Sequence, residues 1–286
     1  MNLIESLILL FWAVSVCGPP LIKLLSLFNC GKFDCLLTWG KTLRSDEHSP
    51  LLVPHRFFTH FYITGFLFNS LCLMELIFHF NFIGSAMSHI ELILKTLLEV
   101  FGLRTEDTFH FSPSQTWLPS ILLQLQLTRR LLESLLIVRH DKSKMHLAHL
   151  VFALCYYPVV SLSINITSVP VPTPVSVLSV VLFVWASFHQ YRCHVILARL
   201  RDDDPYVYGI PYGDWFEYVS SPHYLAEILI YISIFISSGG GYLLGTNCVY
   251  QIVNFSLICT PPTHSWYLKK FDNYPSHRKI LIPFIY

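Results

Sequence analysis

Charge is what this sequence has least of. Asp, Glu, Lys and Arg make up 13% of its 286 residues, about half the share usual in a soluble domain. Hydrophobic residues reach 53% and mean hydropathy is +0.51, which excludes an ordinary soluble domain. A net charge of +1 with no basic block leaves nothing to hold a nucleic acid. There is no G-x-S-x-G, no P-loop and no G-x-G-x-x-G, so the common hydrolase and soluble nucleotide-binding patterns are missing. The eight cysteines are scattered without a C-x-x-C pair; they read as small apolar helix residues. His146 and His149, like His189 and His194, lack the spacing of di-iron histidine boxes, and no metal is expected. No internal repeat is present, which argues against a transporter built from repeated halves.

What is there is a series of apolar runs, each near the ~20 residues that cross a bilayer as a helix. Seven spans are expected, over 3–28, 57–83, 117–138, 146–166, 175–198, 223–246 and 248–268, making 1–286 a single all-α transmembrane domain. Gly18-Pro19-Pro20 should kink or break the first. That first run carries Glu5 and no early basic residue, so it reads as a retained span and not a cleaved signal. The 84–116 segment is expected to be a lumenal loop, or a helix lying on the lumenal face. Basic residues gather at Lys32, Lys41, Arg44 and Arg56, at Arg139, Lys142 and Lys144, at Arg199 and Arg201, and at Lys269, Lys270, Arg278 and Lys279. By the positive-inside rule the N-terminus is lumenal and the C-terminus cytosolic. Of two glycosylation sequons, Asn165-Ile-Thr167 falls in a lumenal loop and is open to modification; Asn254-Phe-Ser256 lies inside a span.

Polar side chains within spans are costly and are functional candidates by default. Here they crowd the ends assigned to the cytosol: His60, then Arg129, Arg130 and Glu133, then His189, Gln190, Arg192 and His194, then His223 and Glu227, then His264 and Tyr267. Gln190, His194 and Arg201 share one helix face, as do His223, Glu227 and Tyr231. Ser221-Pro222 is a helix start. One polar cavity facing the cytosol follows. A receptor would give no reason for such a cluster.

Three strings carry a resemblance: SFHQYRCHVILARLR (187–201), GIPYGDWFEYVSSPHYLAE (209–227) and HSWYLKKFDNYPSHRKILIPFIY (264–286). With RRLLE at 129–133 and HFY at 60–62, they make the chain similar to the steroid 5α-reductase family, and within it to the polyprenol-reducing branch. His223 stands where the steroid branch has Asn. The resemblance implies a seven-span protein of the endoplasmic reticulum that holds NADPH, with most of that motif in 185–286. It assigns Arg129, His194, Arg201, Tyr208, His223, Glu227, His264, Tyr267 and Arg278 to the cofactor. The family's acid pair, a Glu and a Tyr, falls at His60 and Gln126, so neither residue type is kept; these two are the candidate catalytic residues, with His60 the expected donor to the substrate's carbonyl oxygen. The implied reaction is reduction of the α-isoprene double bond of polyprenal, on the way from polyprenol to dolichol for protein N-glycosylation. The substrate is a long polyisoprenoid within membrane lipid, and no obligate protein partner is evident. Reduction of a 3-oxo-Δ4-steroid is the nearer alternative. An isoprenylcysteine-type methyltransferase is the more distant one, and its phosphate-free cofactor would not need the arginines.

Overall fold

A computed structural model describes residues 3–28, 51–78, 82–100, 117–138, 144–200 and 209–286. The helices are α1 (Leu3–Phe28), α2 (Thr59–Phe78), α3 (Phe82–Val100), α4 (Trp117–Leu136), α5 (Leu147–Thr167), α6 (Thr173–Arg199), α7 (Pro222–Ser237), α8 (Tyr242–Val253) and α9 (Thr260–Lys270). Among the described residues, five helical stretches are long and apolar enough to cross a membrane: Leu3–Ser26, Arg56–Phe78, Leu147–Thr167, Thr173–Arg199 and Tyr242–Lys270. Of the other expected spans, α4 carries three charges and α7 has only 16 residues. The chain is an all-α, multi-pass membrane protein. Its outer surface is apolar, with Leu67, Val177, Val181, Val184, Leu125 and Leu135 all exposed. That is the reverse of a water-facing surface and suits hydrocarbon.

Several sequence expectations change. Proline does not break the first span: α1 runs on through Pro19 and Pro20, as membrane helices tolerate. The 82–100 segment forms α3, packed on α1 and α2. Asn165 is not in a loop: it sits in α5, 2% exposed, with its amide donating to Ser161 O at 2.7 Å. That sequon is inaccessible to modification in the folded chain. The break after α7 comes at 238–241, earlier than expected, where Gly239 and Gly240 take φ of +77° and +82° that side chains disfavour. The last span then starts at Tyr242 and includes a π-helical segment, Asn254–Cys259. Its cause is local: Pro261 has no N–H to offer the carbonyl four residues back, Leu257 O. Lys23 Nζ from α1 donates to that carbonyl instead. Lys32, Lys41, Arg44, Arg139 and Lys142 lie outside the described residues.

Polar pins hold the helices in register. Asn69 of α2 donates to Ser120 O at 3.1 Å and to Gln124 Oε1 at 2.8 Å on α4, and accepts from Ser161 of α5 at 3.2 Å. Trp12 donates to Ser163 at 3.1 Å, tying α1 to α5. A short antiparallel ribbon, Leu52–Pro54 (β1) with Lys144–His146 (β2), sets the starts of α2 and α5 side by side. Gly65 is where α2 meets α4 and α5. A Cβ there would lie 2.7 Å from Tyr157 Cβ and 2.8 Å from Leu127 Cδ2, a small-residue contact of the kind that lets membrane helices close. Gly65→Val should therefore destabilise the detergent-solubilised protein by about 1–3 kcal/mol, read as a lower thermal midpoint. Gly18→Ala, with nothing within 4 Å of the new methyl, should leave the midpoint unchanged or higher.

Candidate active site

The start of α2, the last turns of α4 and α6 and the start of α7 meet at one end of the bundle. On α4, Arg129 and Arg130 lie four and three residues before Glu133, spacings that put all three side chains in reach of one another. Glu133 is 2% exposed. Its Oε1 accepts from Arg129 and its Oε2 from Arg130. His194 Nδ1 of α6 lies 2.7 Å from Glu133 Oε2 and 2.7 Å from Arg130 Nη1.

Two amides extend the set. Arg129 Nη2 donates to Gln126 Oε1 at 2.6 Å and to Gln190 Oε1 of α6. With their oxygens occupied, both amides turn their nitrogens outward. Gln126 Nε2 donates to Gln190 Oε1 at 3.3 Å and to Glu227 Oε2 of α7 at 3.2 Å. Gln190 Nε2 donates to Glu227 Oε2 and, at 3.2 Å, to His223 O. The His223 ring is 5.7 Å from that of His194. Two guanidinium groups and two carboxylates balance within the network, which suits a site with little water.

Toward the core of the bundle the network abuts tyrosines. Arg130 Nη2 donates to Tyr62 OH of α2 at 2.8 Å and its guanidinium carbon stands 5.0 Å from the Tyr62 ring. Beyond it come Tyr157 and Phe61, their rings stacked at 4.4 Å, then Tyr156 and Tyr231 at 6.2 Å. Tyr156 is fixed by Asn247 at 2.9 Å and by Gln251.

A second cluster joins α7, α9 and the C-terminal segment. Ser220 Oγ bonds His264 Nδ1 and Tyr274 OH, each at 2.6 Å. Tyr274 stacks on Tyr267 at 5.2 Å. Backbone bonds between Ser220 and Lys279, and Lys279 and Tyr218, hold the tail beside the start of α7. Arg278 is buried to 2% exposure. Its Nη1 donates to Pro211 O at 2.8 Å, and its guanidinium lies over Tyr212 at 4.7 Å and Tyr274 at 5.5 Å. Its Nε and Nη2 have no hydrogen-bond partner among the described residues, and Glu217 is 4.0 Å from Nη2. Buried donors normally find acceptors, so these two suit an anionic ligand.

The turn before α7 is clamped to α6. Asp214 has φ +50° after Gly213 at +93°; its carboxylate meets His189 Nδ1 at 2.7 Å, Arg192 Nε at 3.0 Å and Trp215 N at 2.8 Å. His189 stacks on Trp215 at 4.4 Å. Thus His189 and Arg192 hold a turn and do not point at the network.

Of the residues named from the sequence, the structure gathers Gln126, Arg129, His194, His223 and Glu227 into the network, and His264, Tyr267 and Arg278 into the second cluster. Arg201 and Tyr208 lie outside the described residues. His60 stands apart: it is exposed and its Nδ1 is bonded to Phe57 O at 3.0 Å. From that part of α2 it is Tyr62 that reaches the network, while Thr59 bonds Ser134 at 2.8 Å. Arg130, Glu133 and Gln190 were visible as polar residues within spans but unassigned. Ser220 and Tyr274 gave no signal.

The chain is similar to known proteins over most of its length. A family profile described as 3-oxo-5-alpha-steroid 4-dehydrogenase matches residues 146–286. The chain is 32% identical over 283 residues to a polyprenal reductase of Ailuropoda melanoleuca, covering 90% of this chain and 87% of that protein. It is also 32% identical to the polyprenal reductase of Homo sapiens, with the same coverage of each chain. A polyprenal reductase 1 of Oryza sativa subsp. indica is 29% identical, over 94% of this chain and 90% of the relative.

Removing one member of a buried ion cluster strands the rest. Glu133→Ala should cost about 3–5 kcal/mol, seen as a large fall in thermal midpoint, while Glu133→Gln, which still accepts hydrogen bonds, should lose less.

Proposed function

The chain belongs to the polyprenal reductase branch of the 3-oxo-5-alpha-steroid 4-dehydrogenase family, and from that premise we propose that it reduces the α-isoprene double bond of polyprenal, using NADPH, to give dolichal. It is an oxidoreductase of the membrane. The observation that carries the proposal is the hydrogen bond between Arg130 and Tyr62, where a charged network touches a layer of tyrosines. A substrate with a polar head on a long apolar tail needs such a boundary.

NADPH, when bound, supplies a hydride. The donor set fits its phosphates, because Arg278 Nε and Nη2 are buried without a hydrogen-bond acceptor among the described residues and a guanidinium is matched to phosphate oxygens. His264, beside it through Ser220 and Tyr274, is assigned to the same region, with Tyr267. Glu227, held by Gln126 and Gln190, accepts from a ribose hydroxyl or the carboxamide, and His223 and His194 flank it. Arg129, whose donors go to Glu133, Gln126 and Gln190, positions this arrangement. The family pattern adds Arg201 and Tyr208. The domain is read as one transmembrane unit with residues 185–286 supplying most of the cofactor motif.

Hydride addition requires a double bond conjugated to a carbonyl, so that the charge delocalises onto oxygen. This favours the aldehyde over the alcohol as immediate substrate. The basic residues at the polar end, Arg199, Lys269, Lys270 and Lys279 among them, support a cytosolic site by the positive-inside rule. The C-terminus is then cytosolic and the N-terminus lumenal, in the endoplasmic reticulum, where dolichol serves N-glycosylation.

Purified protein offered polyprenal and polyprenol in parallel with NADPH should add two hydrogens to the α-unit of the aldehyde alone, resolved by mass spectrometry. Reduction of polyprenol with polyprenal left untouched would sink the proposal. Arg278→Ala should weaken NADPH binding about 10- to 100-fold, the loss of charge-assisted hydrogen bonds, measured by titration of the cofactor.

A further inference from the structure

We infer that Tyr62 is the catalytic acid, donating its phenol hydrogen to the aldehyde oxygen, with Arg130 as its positioning residue. The inference rests on the reductase reading above and names the group that reading lacks. The acid must be buried at the boundary between network and apolar layer, and must have a hydrogen to give. Gln126 cannot serve: both its nitrogen contacts go to Gln190 and Glu227, its oxygen accepts from Arg129, and an amide does not release a proton. His60 is exposed and turned to Phe57 O. Glu133 and Glu227 accept hydrogen bonds from their neighbours and offer none.

Tyr62 meets each requirement. It is 6% exposed, on the first turns of α2, with its ring against Phe58, Phe61 and Tyr157. Its hydroxyl oxygen accepts from Arg130 Nη2 at 2.8 Å, and no hydrogen bond among the described residues uses its hydroxyl hydrogen. Arg130 is itself fixed through Nη1, which donates to Glu133, so the direction of the phenol is set from behind. As the hydrogen leaves, charge gathering on the phenol oxygen meets a guanidinium already in place, the preorganised stabilisation that makes such donors effective.

The step balances as follows. A hydride from the nicotinamide reductant adds to C3 of the α-isoprene. The C2–C3 π pair moves to C1–C2, and the carbonyl π pair moves to oxygen, which takes the hydrogen of Tyr62. The enol then takes a proton from water at C2 and returns its hydroxyl hydrogen to the Tyr62 oxygen. The aldehyde gains one hydride and one proton, the reductant loses the hydride, and Tyr62 is restored.

The test is Tyr62→Phe in the full-length protein in lipid, with two readouts. The turnover number with polyprenal should fall about 10²–10⁴-fold, with NADPH affinity and polyprenal KM little changed. In the absence of cofactor, a polyprenal labelled at its aldehyde carbon should show the carbonyl shift of a strong hydrogen bond when bound to the wild type, and lose it in the variant. A structural role for Tyr62 would not move that resonance selectively. If the variant accumulates poorly, fluorotyrosine at position 62 keeps shape and hydrogen bond while strengthening the acid, and the carbonyl shift should grow. A Tyr62→Phe enzyme turning over within about tenfold of wild type, or a carbonyl resonance indifferent to the change, overturns the assignment alone. A wild-type protein that does not reduce polyprenal overturns the reading beneath it.

Discussion

The carboxylate of Glu133 accepts from Arg129, Arg130 and, with its proton on Nδ1, His194, where water has little access. The polar end of the molecule is arranged around those bonds. Two adjacent guanidinium groups repel, and each is expensive to remove from water. One carboxylate at the right helical offset makes both tolerable and fixes where their remaining N–H groups point. Arg129 then sets the orientation of Gln126 and Gln190, and these aim their nitrogens at Glu227. Arg130 faces the other way, toward Tyr62. A single residue of α4 thereby governs side chains on α2, α6 and α7.

The buried arginines divide by whether their donors have acceptors among the described residues. Arg129 and Arg130 are engaged by protein groups, so their part is to position. Arg278 is more deeply buried, yet its Nε and Nη2 have no hydrogen-bond acceptor among the described residues, so it has binding capacity left over. The family profile begins at residue 146 and takes in Arg278, His223 and Glu227 but not α4. The resemblance to whole polyprenal reductases spans 90% of the chain, and the structure shows why the rest is needed. Of the two amides that donate to Glu227, Gln190 lies within the profile, but Gln126 and the Arg129 that orients both come from α4, outside it.

The same rule governs the backbone. In a membrane every released carbonyl must find a donor within the protein. Pro261 frees Leu257 O, and Lys23 meets it from another helix. That contact gives a charge inside α1 its partner, at the break of regularity that Pro261 makes between α8 and α9. Nearby, Thr260 Oγ1 donates to Phe255 O at 2.8 Å and Thr263 Oγ1 to Cys259 O at 3.1 Å, so hydroxyls as well as a lysine serve the irregular turn. At the other end of α7, Gly241 closes on Thr167, with a Cβ position 2.3 Å from Thr167 Oγ1. Val169 N donates to Ser238 O there at 2.9 Å, and Ser220 N to Lys279 O at 2.9 Å before the helix starts, so the short α7 is pinned at both ends.

The sequence by itself determined that the chain lives in a membrane, that it is helical, where most helices run, and that polar residues gather at one end. Those are local properties: hydropathy over some twenty residues and helical offsets such as that from His223 to Glu227. The strings at 209–227 and 264–286 carried the family. Tertiary structure decided which neighbours face inward. Successive residues of a helix turn by about 100°, so His60 and Tyr62 share a string of text but not a surroundings, and only the packing of α4 shows that Tyr62 has Arg130 as partner. Asn165 reads as a loop sequon until α5 is seen to run through it. Ser220, His264 and Tyr274 are far apart in the chain and form one set of hydrogen bonds, which no local pattern encodes. A side chain's cost or use within a bilayer depends on what stands opposite, and only the fold brings the opposite side to it.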